Sequence, residues 1–320
     1  MDPAIKTAFH VIINPNAGRR IGMRDWPEIA HLLDASDIPF TYAFTHGPSD
    51  AMDIAVKVLE EGYRKIIVVG GDGTLNETVN GIFSQSLIPA VEVTLAMIPI
   101  GTGNDWGKTY GFPSDYSSAV EMIRNGHTVI QDVGIVAFTS NSVRRERYFI
   151  NVAGLGCDAI VTFDTNRRKE KGGSGKVAYM VSLMKSLLKY SYDEAEVLAD
   201  GEMLFSGKLY SANIGICRYN GGGMMQVPYA LPDDGLFDIT LFRKMSKLTV
   251  IRNAGRLYDG SFVKIRQVST HRASKILVRS GEPVLLEADG ESLGTAPFEF
   301  KLLPKALKFI VPKPAAENKT

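Results

Sequence analysis

The chain has 320 residues, 45% hydrophobic and 22% charged, with a net charge of +1. That length exceeds what one hydrophobic core usually serves, so two domains are expected, and the composition excludes a disordered or fibrous chain. The near-neutral balance gives no global field for nucleic acid, and none is expected as a partner. The two cysteines, Cys157 and Cys217, have neither CxxC nor metal-ligand spacing and read as buried apolar residues of a reducing compartment. The opening MDPAIKTAFHVIINPNAG has too short an apolar stretch for a signal peptide, and no run approaches the ~18 apolar residues of a membrane span. A cytoplasmic protein is expected.

The first third alternates short apolar runs with helical periodicity. Residues 8–13, 40–44, 66–69 and 93–100 read as buried strands. Ser49 stands where it can N-cap a helix whose Ala51, Ile54, Ala55, Val58 and Leu59 share one face, and Gly62 ends it. This alternation predicts a parallel sheet covered by helices, with ligands at the carboxyl ends of its strands. After about residue 132 strand-like stretches follow one another: 133–138, 148–152, 209–216, 237–242, 275–278, 284–287 and 298–302. They predict an antiparallel β-sandwich. A long helical segment, 176–190, interrupts them, and the closing strand 307–311 is placed back with the first domain. The expected boundaries are therefore 1–132 for the α/β domain, rejoined by 306–320, and 133–305 for the sandwich. The last residues, 312–320, read as a frayed tail.

Three loops at strand ends carry the chemistry. GGDGTLNETVNG (70–81) leaves a buried strand through three glycines and Asp72; helical character is read from Leu75 onward. Glycines bring backbone N–H groups close to an anion, and a helix N-terminus aims at the same point. Asp72 fits beside phosphate if Mg²⁺ lies between them; a tight βα turn with Asp as cap is the competing reading. PIGTGND (99–105) follows another strand. Its continuation TGNDWGKT fails GxxxxGK[ST] at Thr102, and neither loop is GxGxxG. NPNAGRR (14–20) follows the first strand and adds Arg19 and Arg20. Together they describe one mouth. Farther on, EADGE (287–291) can project a carboxylate, Asp289, as a proton acceptor, or be an ordinary Asp-Gly hairpin turn. PDDGLFD (232–238) holds a similar ambiguity.

The set IINPNAG, GGDGTLNE, PIGTGND, PDDGLFD and EADGE, in this order, resembles the diacylglycerol kinase catalytic family, closest to its compact bacterial members and related to sphingosine and ceramide kinases. The resemblance implies an N-terminal three-layer α/β domain with a mostly parallel sheet, similar to NAD kinases and phosphofructokinases, and a C-terminal antiparallel β-sandwich, with ATP in the cleft between them. It implies nucleotide contacts at Asn14, Thr45, Gly71, Asp72, Gly73, Thr74, Leu75, Asn76, Glu77 and Thr102. Asp72 would help hold catalytic Mg²⁺, and Asp105 would support that metal. Asp289 would accept the substrate proton, with Glu291 as the rival base. Leu231, Asp234 and Leu236 would hold a structural Mg²⁺, the leucines through backbone carbonyls, and Asp132 would join the aspartate network. The family often follows its ND with an aromatic, a small residue and Arg; here Lys108 stands in place of Arg and lacks the bidentate fork.

The resulting expectation is an ATP- and Mg²⁺-dependent lipid kinase, converting diacylglycerol to phosphatidic acid while peripheral to an anionic membrane. The basic stretch 167–173 is the membrane candidate; the apolar face of 176–190 either settles into the interface or packs on the sandwich. Alternatives are a sphingoid or phosphatidylglycerol-type acceptor, an NAD kinase-like enzyme for a soluble substrate, and a non-catalytic sensor. The joint presence of Asp72, Asp105 and Asp289 argues against the sensor. A homodimer is compatible with the sequence.

Overall fold

The structure is a computed structural model and describes residues 6–101, 103–170 and 193–313. It divides into two compact units, one formed by Met1–Gln131 with Lys305–Thr320 and the other by Asp132–Pro304.

In the first unit, strands and helices alternate: β1 (Phe9–Ile13), α1 (Ala17–Ala35), β2 (Phe40–Phe44), α2 (Asp50–Glu60), β3 (Lys65–Gly70), α3 (Asp72–Ser84), β4 (Thr94–Pro99), α4 (Asp105–Tyr110) and α5 (Tyr116–Asn125). β1 is buried throughout and β3 all but at its first residue, which is why both read as uninterrupted apolar runs. The parallel order is β2-β1-β3-β4, completed by the end of β14 (Glu291–Val311), where Lys308 and Phe309 pair with Thr94 and Leu95 of β4. Trp26, Ile29 and Leu33 of α1 and Ala119, Val120 and Ile123 of α5 pack with Val11, Ile67 and Ile98 from the strands.

Two local expectations change here. Ser49 does occupy the position before α2, but in a left-handed conformation and without a side-chain cap; its N–H instead donates to Glu77 Oε1 at 2.9 Å. Helix α3 begins at Asp72, three residues before Leu75, so Gly73 and Thr74 belong to its first turn.

The second unit holds most of β5 (His127–Ser140), then β6 (Val143–Phe149), β7 (Val152–Gly156), α6 (Cys157–Glu170), β8 (Asp193–Ala199), β9 (Glu202–Gly215), β10 (Phe237–Arg243), α7 (Lys247–Asn253), β11 (Val268–Ala273), β12 (Lys275–Ser280), β13 (Leu285–Ala288) and most of β14. Pairing runs antiparallel from β9 through β8, β12, β14, β13 and β7 and returns to β9, so the two long strands β9 and β14 serve both layers. The enclosed core includes Phe149, Leu155, Ile214, Phe237, Leu286, Phe298 and Phe300. The expected strand over 148–152 is broken: the chain bends at Ile150–Asn151, whose N–H groups turn to a side chain described below. Of β6 only Tyr148 and Phe149 fall within an expected strand, and β8 and β11 fall within none; VRRERYF and VSTHRA are edge-like and polar. Residues 167–170 close α6 rather than form a loop; the remainder of the basic stretch, the predicted helix 176–190 and most of the tail lie outside the described residues.

Candidate active site

The three loops of the first unit leave neighbouring parallel strands. The Asn14 N–H donates to Val69 O at 2.9 Å and Ile100 N–H to Gly70 O at 2.8 Å, so the ends of β1, β3 and β4 lie side by side. Asn14 Nδ2 then donates to Thr74 Oγ1 at 3.0 Å, tying the first loop to α3. The first loop itself enters α1 through three successive left-handed residues, Gly18, Arg19 and Arg20; arginine rarely adopts that conformation, and it leaves both guanidinium side chains exposed.

Asp72 links the second loop to the third. Its Oδ2 accepts from Asp105 N at 3.0 Å and its Oδ1 from Trp106 N at 3.3 Å, so the carboxylate caps α4 from 33 residues away. Trp106 is buried, donates to Gln131 Oε1 at 2.9 Å and packs on Phe309 with ring centroids 4.6 Å apart. These contacts fix the start of α4. A Cβ on Gly103 would lie 3.3 Å from Asp72 Oδ2 and 3.9 Å from Asp105 Oδ2, so two carboxylates flank one backbone position. Such a donor set fits a hard divalent cation that also takes phosphate oxygens. Among the described residues no three His, Cys, Asp or Glu side chains gather as a metal cage. Lys108 Nζ sits 2.6 Å from Asp105 Oδ1.

The other expected nucleotide residues divide by burial. Leu75 and Asn76 are buried, Asn76 accepts from Asn80 within α3, and the Leu75 N–H donates to Gly71 O at 3.1 Å, so the helix N–H groups left for a ligand precede Leu75. Thr45 is buried and its N–H donates to Ile13 O at 2.8 Å. Gly71 is extended at the N-cap of α3, while Glu77 is held by Ser49. Thr102 lies outside the described residues.

In the second unit Asp289 and Gly290 both have positive φ, 50° and 84°, so the turn between β13 and β14 is of the hairpin type that Asp-Gly favours. It is also more than a turn. Asp289 is buried and its carboxylate accepts from Ile150 N at 2.9 Å and Asn151 N at 3.0 Å, at the bend that breaks residues 148–152. Asn166 of α6 donates to Gly290 O at 3.0 Å. Glu291 opens β14 opposite Ala288.

Asp132 is buried and its Oδ2 accepts from Gly235 N at 2.7 Å, with its own N–H donating to Pro232 O. It thereby shapes the turn bearing Leu231, Asp234 and Leu236. Asp234 Oδ1 accepts from Leu236 N, and its Oδ2 is ion-paired with Arg272. The carboxylate that the resemblance assigns to structural Mg²⁺ therefore also faces a cation from this chain, Arg272.

A second carboxyl cluster was not foreseen. Asp158, on α6, meets Glu287, two residues before Asp289. A Cβ on Gly154 would collide with Asp158 Oδ2 and lie 2.8 Å from Glu287 Oε1, so only glycine admits the pair. Asn220 Nδ2 donates to Glu287 Oε1 and Gln226 Nε2 to Asp158 Oδ1. Burial pushes Asp158 up to about 6, and burial with the neighbouring Asp158 charge raises Glu287 well above the carboxylate range. Glu287, Gly154, Asn213 and Thr240 are successive cross-strand partners, a polar row across the sheet. Asp158 and Asn213 from this region also line an apolar cavity of about 80 Å³ beside Tyr210, Met224, Phe242 and Phe262. No sequence spacing announces this pair; only the strand register joins its halves.

The Diacylglycerol kinase catalytic domain family matches residues 8–136, and the YegS C-terminal NAD kinase beta sandwich-like domain matches residues 151–311. A Diacylglycerol kinase of Staphylococcus carnosus (strain TM300) is 30% identical over 303 residues, 95% of this chain and 94% of the relative. The chain belongs to the diacylglycerol kinase family. Another relative, the Diacylglycerol kinase of Bacillus subtilis (strain 168), is 30% identical over 96% of this chain and 97% of its own length. Two crystal structures of proteins from Bacillus anthracis str. Sterne superpose with TM-scores of 0.76 and 0.72 at 24% and 22% identity, each over 95% of this chain and 97% of theirs. They show the fold: an α/β unit followed by an antiparallel β unit. As a member of the diacylglycerol kinase family the chain is a lipid kinase, which removes the NAD kinase-like and sensor alternatives. No helix among the described residues is long and apolar enough to cross a membrane.

Proposed function

We propose that this lipid kinase transfers the γ-phosphate of ATP to the free hydroxyl of a diacylglycerol, forming phosphatidic acid and ADP. The observation that carries the reading is the likeness to relatives named Diacylglycerol kinase over 95% and 96% of the chain. In the first unit, backbone N–H groups at Gly71 and the start of α3 receive phosphate, because a helix N-terminus concentrates unpaired donors. Asp72 and Asp105 would hold Mg²⁺, which supplies charge neutralisation for the phosphates when bound. In the second unit, Asp289 accepts the hydroxyl proton as the lipid oxygen bonds to phosphorus and the bond to the ADP oxygen breaks. The Ile150 and Asn151 N–H groups fix the direction of its carboxylate.

The apolar cavity beside α6 receives part of an acyl chain; at about 80 Å³ it is smaller than the roughly 300 Å³ of pockets that enclose a whole drug-sized ligand. A second acceptor class is supported by one observation. Gln226 Oε1 and Asn213 Oδ1, both buried, have no hydrogen-bond donor and line this cavity. They suit a sphingoid or phosphatidylglycerol-type lipid, which carries hydroxyl or N–H donors beyond the single hydroxyl of a diacylglycerol. Labelled phosphate transfer from ATP, with lipids in mixed micelles, decides between them. Diacylglycerol as the fastest acceptor supports the first reading; a sphingoid base, ceramide or phosphatidylglycerol ahead of it overturns that choice.

A further inference from the structure

One surface of the second unit has an amphipathic character that the kinase chemistry does not require. Between residues 243 and 258 the chain carries Arg243, Lys244, Lys247, Arg252 and Arg256 and no acidic residue, in a protein whose net charge is only +1. All five are exposed, and the first acid, Asp259, comes just after. Among the described residues, none of Lys247, Arg252 or Arg256 sits within ion-pair distance of a carboxylate. Among these cations, α7 turns Leu248 and Ile251 outward, 54% and 44% exposed, and Tyr258 follows at 45%. Leu248 and Ile251 are three apart and therefore share one helix face.

The other face of the same segment looks inward. Val250, Asn253, Ala254 and Leu257 line the apolar cavity, and Val250 and Leu257 pack on Tyr210, Phe242 and Phe262. Ser246 caps α7 by accepting from Thr249 N, and Asn253 donates back to Thr249 O, so the segment is held as one piece. Residues 247–258 are thus the rim of the cavity, with large apolar side chains and exposed cations on the side away from it.

We propose that this rim, α7 with residues 254–258, is a docking surface for an anionic lipid bilayer, with Leu248 and Ile251 entering the interface and Lys247, Arg252 and Arg256 meeting lipid phosphates. Apolar residues flanked by cations are the composition of an interfacial helix. Docking there brings the rim of the cavity to the phase that contains the lipid acceptor. This assignment of a membrane side rests on the lipid-kinase reading, but the docking is measured separately from phosphoryl transfer.

The test compares the full chain with Lys247→Glu/Arg252→Glu/Arg256→Glu and with Leu248→Ser/Ile251→Ser. Binding is followed on phosphatidylcholine vesicles with and without phosphatidylglycerol, and transfer from ATP to a short-chain diacylglycerol in detergent micelles. Each basic residue near an anionic surface changes partitioning roughly fivefold, so the triple reversal should lower binding to phosphatidylglycerol vesicles about a hundredfold or more. Replacing the two apolar residues should also lower it, by at least about tenfold. Micellar turnover should stay near that of the parent chain. Unchanged vesicle binding in the triple variant, or equal binding of the parent to both vesicle types, overturns the proposal. So does serine-variant binding equal to the parent's, accompanied by patch-dependent binding of a nucleic-acid oligonucleotide, which would make the surface a polyanion site. Patch-dependent vesicle docking with no transfer to any micellar lipid would instead sink the kinase assignment and leave the docking surface standing.

Discussion

Asp72 and Asp105 are joined through backbone: the Asp105 N–H donates to the Asp72 carboxylate at 3.0 Å, and Trp106 N–H to its other oxygen at 3.3 Å. A carboxylate has about four lone-pair sites, so this capping leaves acceptor capacity for a cation. Asp72 therefore has a structural and a chemical part to play. Asp72→Ala should cost about 1 kcal/mol of stability, the usual worth of a helix cap, together with nearly all turnover. Asp72→Asn keeps one acceptor, so urea unfolding should show most of the stability restored while Mg²⁺-supported turnover stays below about a hundredth. Turnover that returns with stability would leave Asp72 only the cap.

Gly71 offers a cleaner test of phosphate binding. A Cβ there would lie 3.4 Å from Ile100 O and 3.7 Å from Asn104 Oδ1, ordinary contacts, and its φ of −104° suits any residue. Gly71→Ala should fold normally yet lose at least about tenfold in ATP affinity, about 1.4 kcal/mol, because the methyl group stands where phosphate approaches the backbone. ATP titration beside a thermal melt reads both. Parent-like affinity would move the phosphates away from this turn.

At Asp289, asparagine is less conservative than its shape suggests. The carboxylate accepts two backbone N–H groups, and an amide must turn its NH₂ toward one of them. The mismatch should cost about 1–3 kcal/mol of stability, while loss of the proton acceptor lowers single-turnover transfer about 10²–10⁴-fold. ATP affinity should hardly change. If more than about a tenth of turnover survives, Asp289 is not the base, and Glu291 becomes the residue to replace.

The Asp158–Glu287 pair predicts a pH dependence. With Asp158 pushed up to about 6, the folded chain keeps a proton that the unfolded chain releases near 4. Stability from this site is therefore greatest at low pH and falls as pH rises through that window, by at most about 1.4 kcal/mol per pH unit for one group; the raised Glu287 extends the fall upward. His10, lowered to about 4 by burial, acts with the opposite sign over the same range. The variant difference isolates the pair: Asp158→Asn should gain on the parent as pH increases from 4 to 7. A gap that stays flat across this range would refute a proton held there.

Arg272 and Mg²⁺ should compete for Asp234. Thermal melts without nucleotide should show little Mg²⁺ stabilisation of the parent and a larger one of Arg272→Gln, because removing the guanidinium frees the carboxylate. Asp234→Ala should respond in neither background. If Arg272→Gln is as indifferent to Mg²⁺ as the parent, the turn is an ion-paired turn and nothing more.

Local pattern made much of the fold legible. The buried runs of β1, β3 and β4 and the helical stripe of α2 are period effects that each segment carries by itself. Glycine and aspartate at strand ends marked the three loops for a similar reason, since turn conformation and phosphate approach constrain residue type locally. Segments with a polar face, such as β6 and β11, hid because their strand state depends on neighbours.

What the sequence by itself determined is the order of elements, the family, and which residue types stand at each loop. Tertiary structure alone decided their partners: Asp72 with α4, Asp289 with the Ile150–Asn151 bend, Asp234 with Arg272, and Asp158 with Glu287 beneath Gly154. Those pairs lie between 33 and 139 positions apart in the chain. A carboxylate's lone pairs and its proton answer to whatever the fold brings within hydrogen-bond reach, and strand register, not sequence spacing, sets that distance.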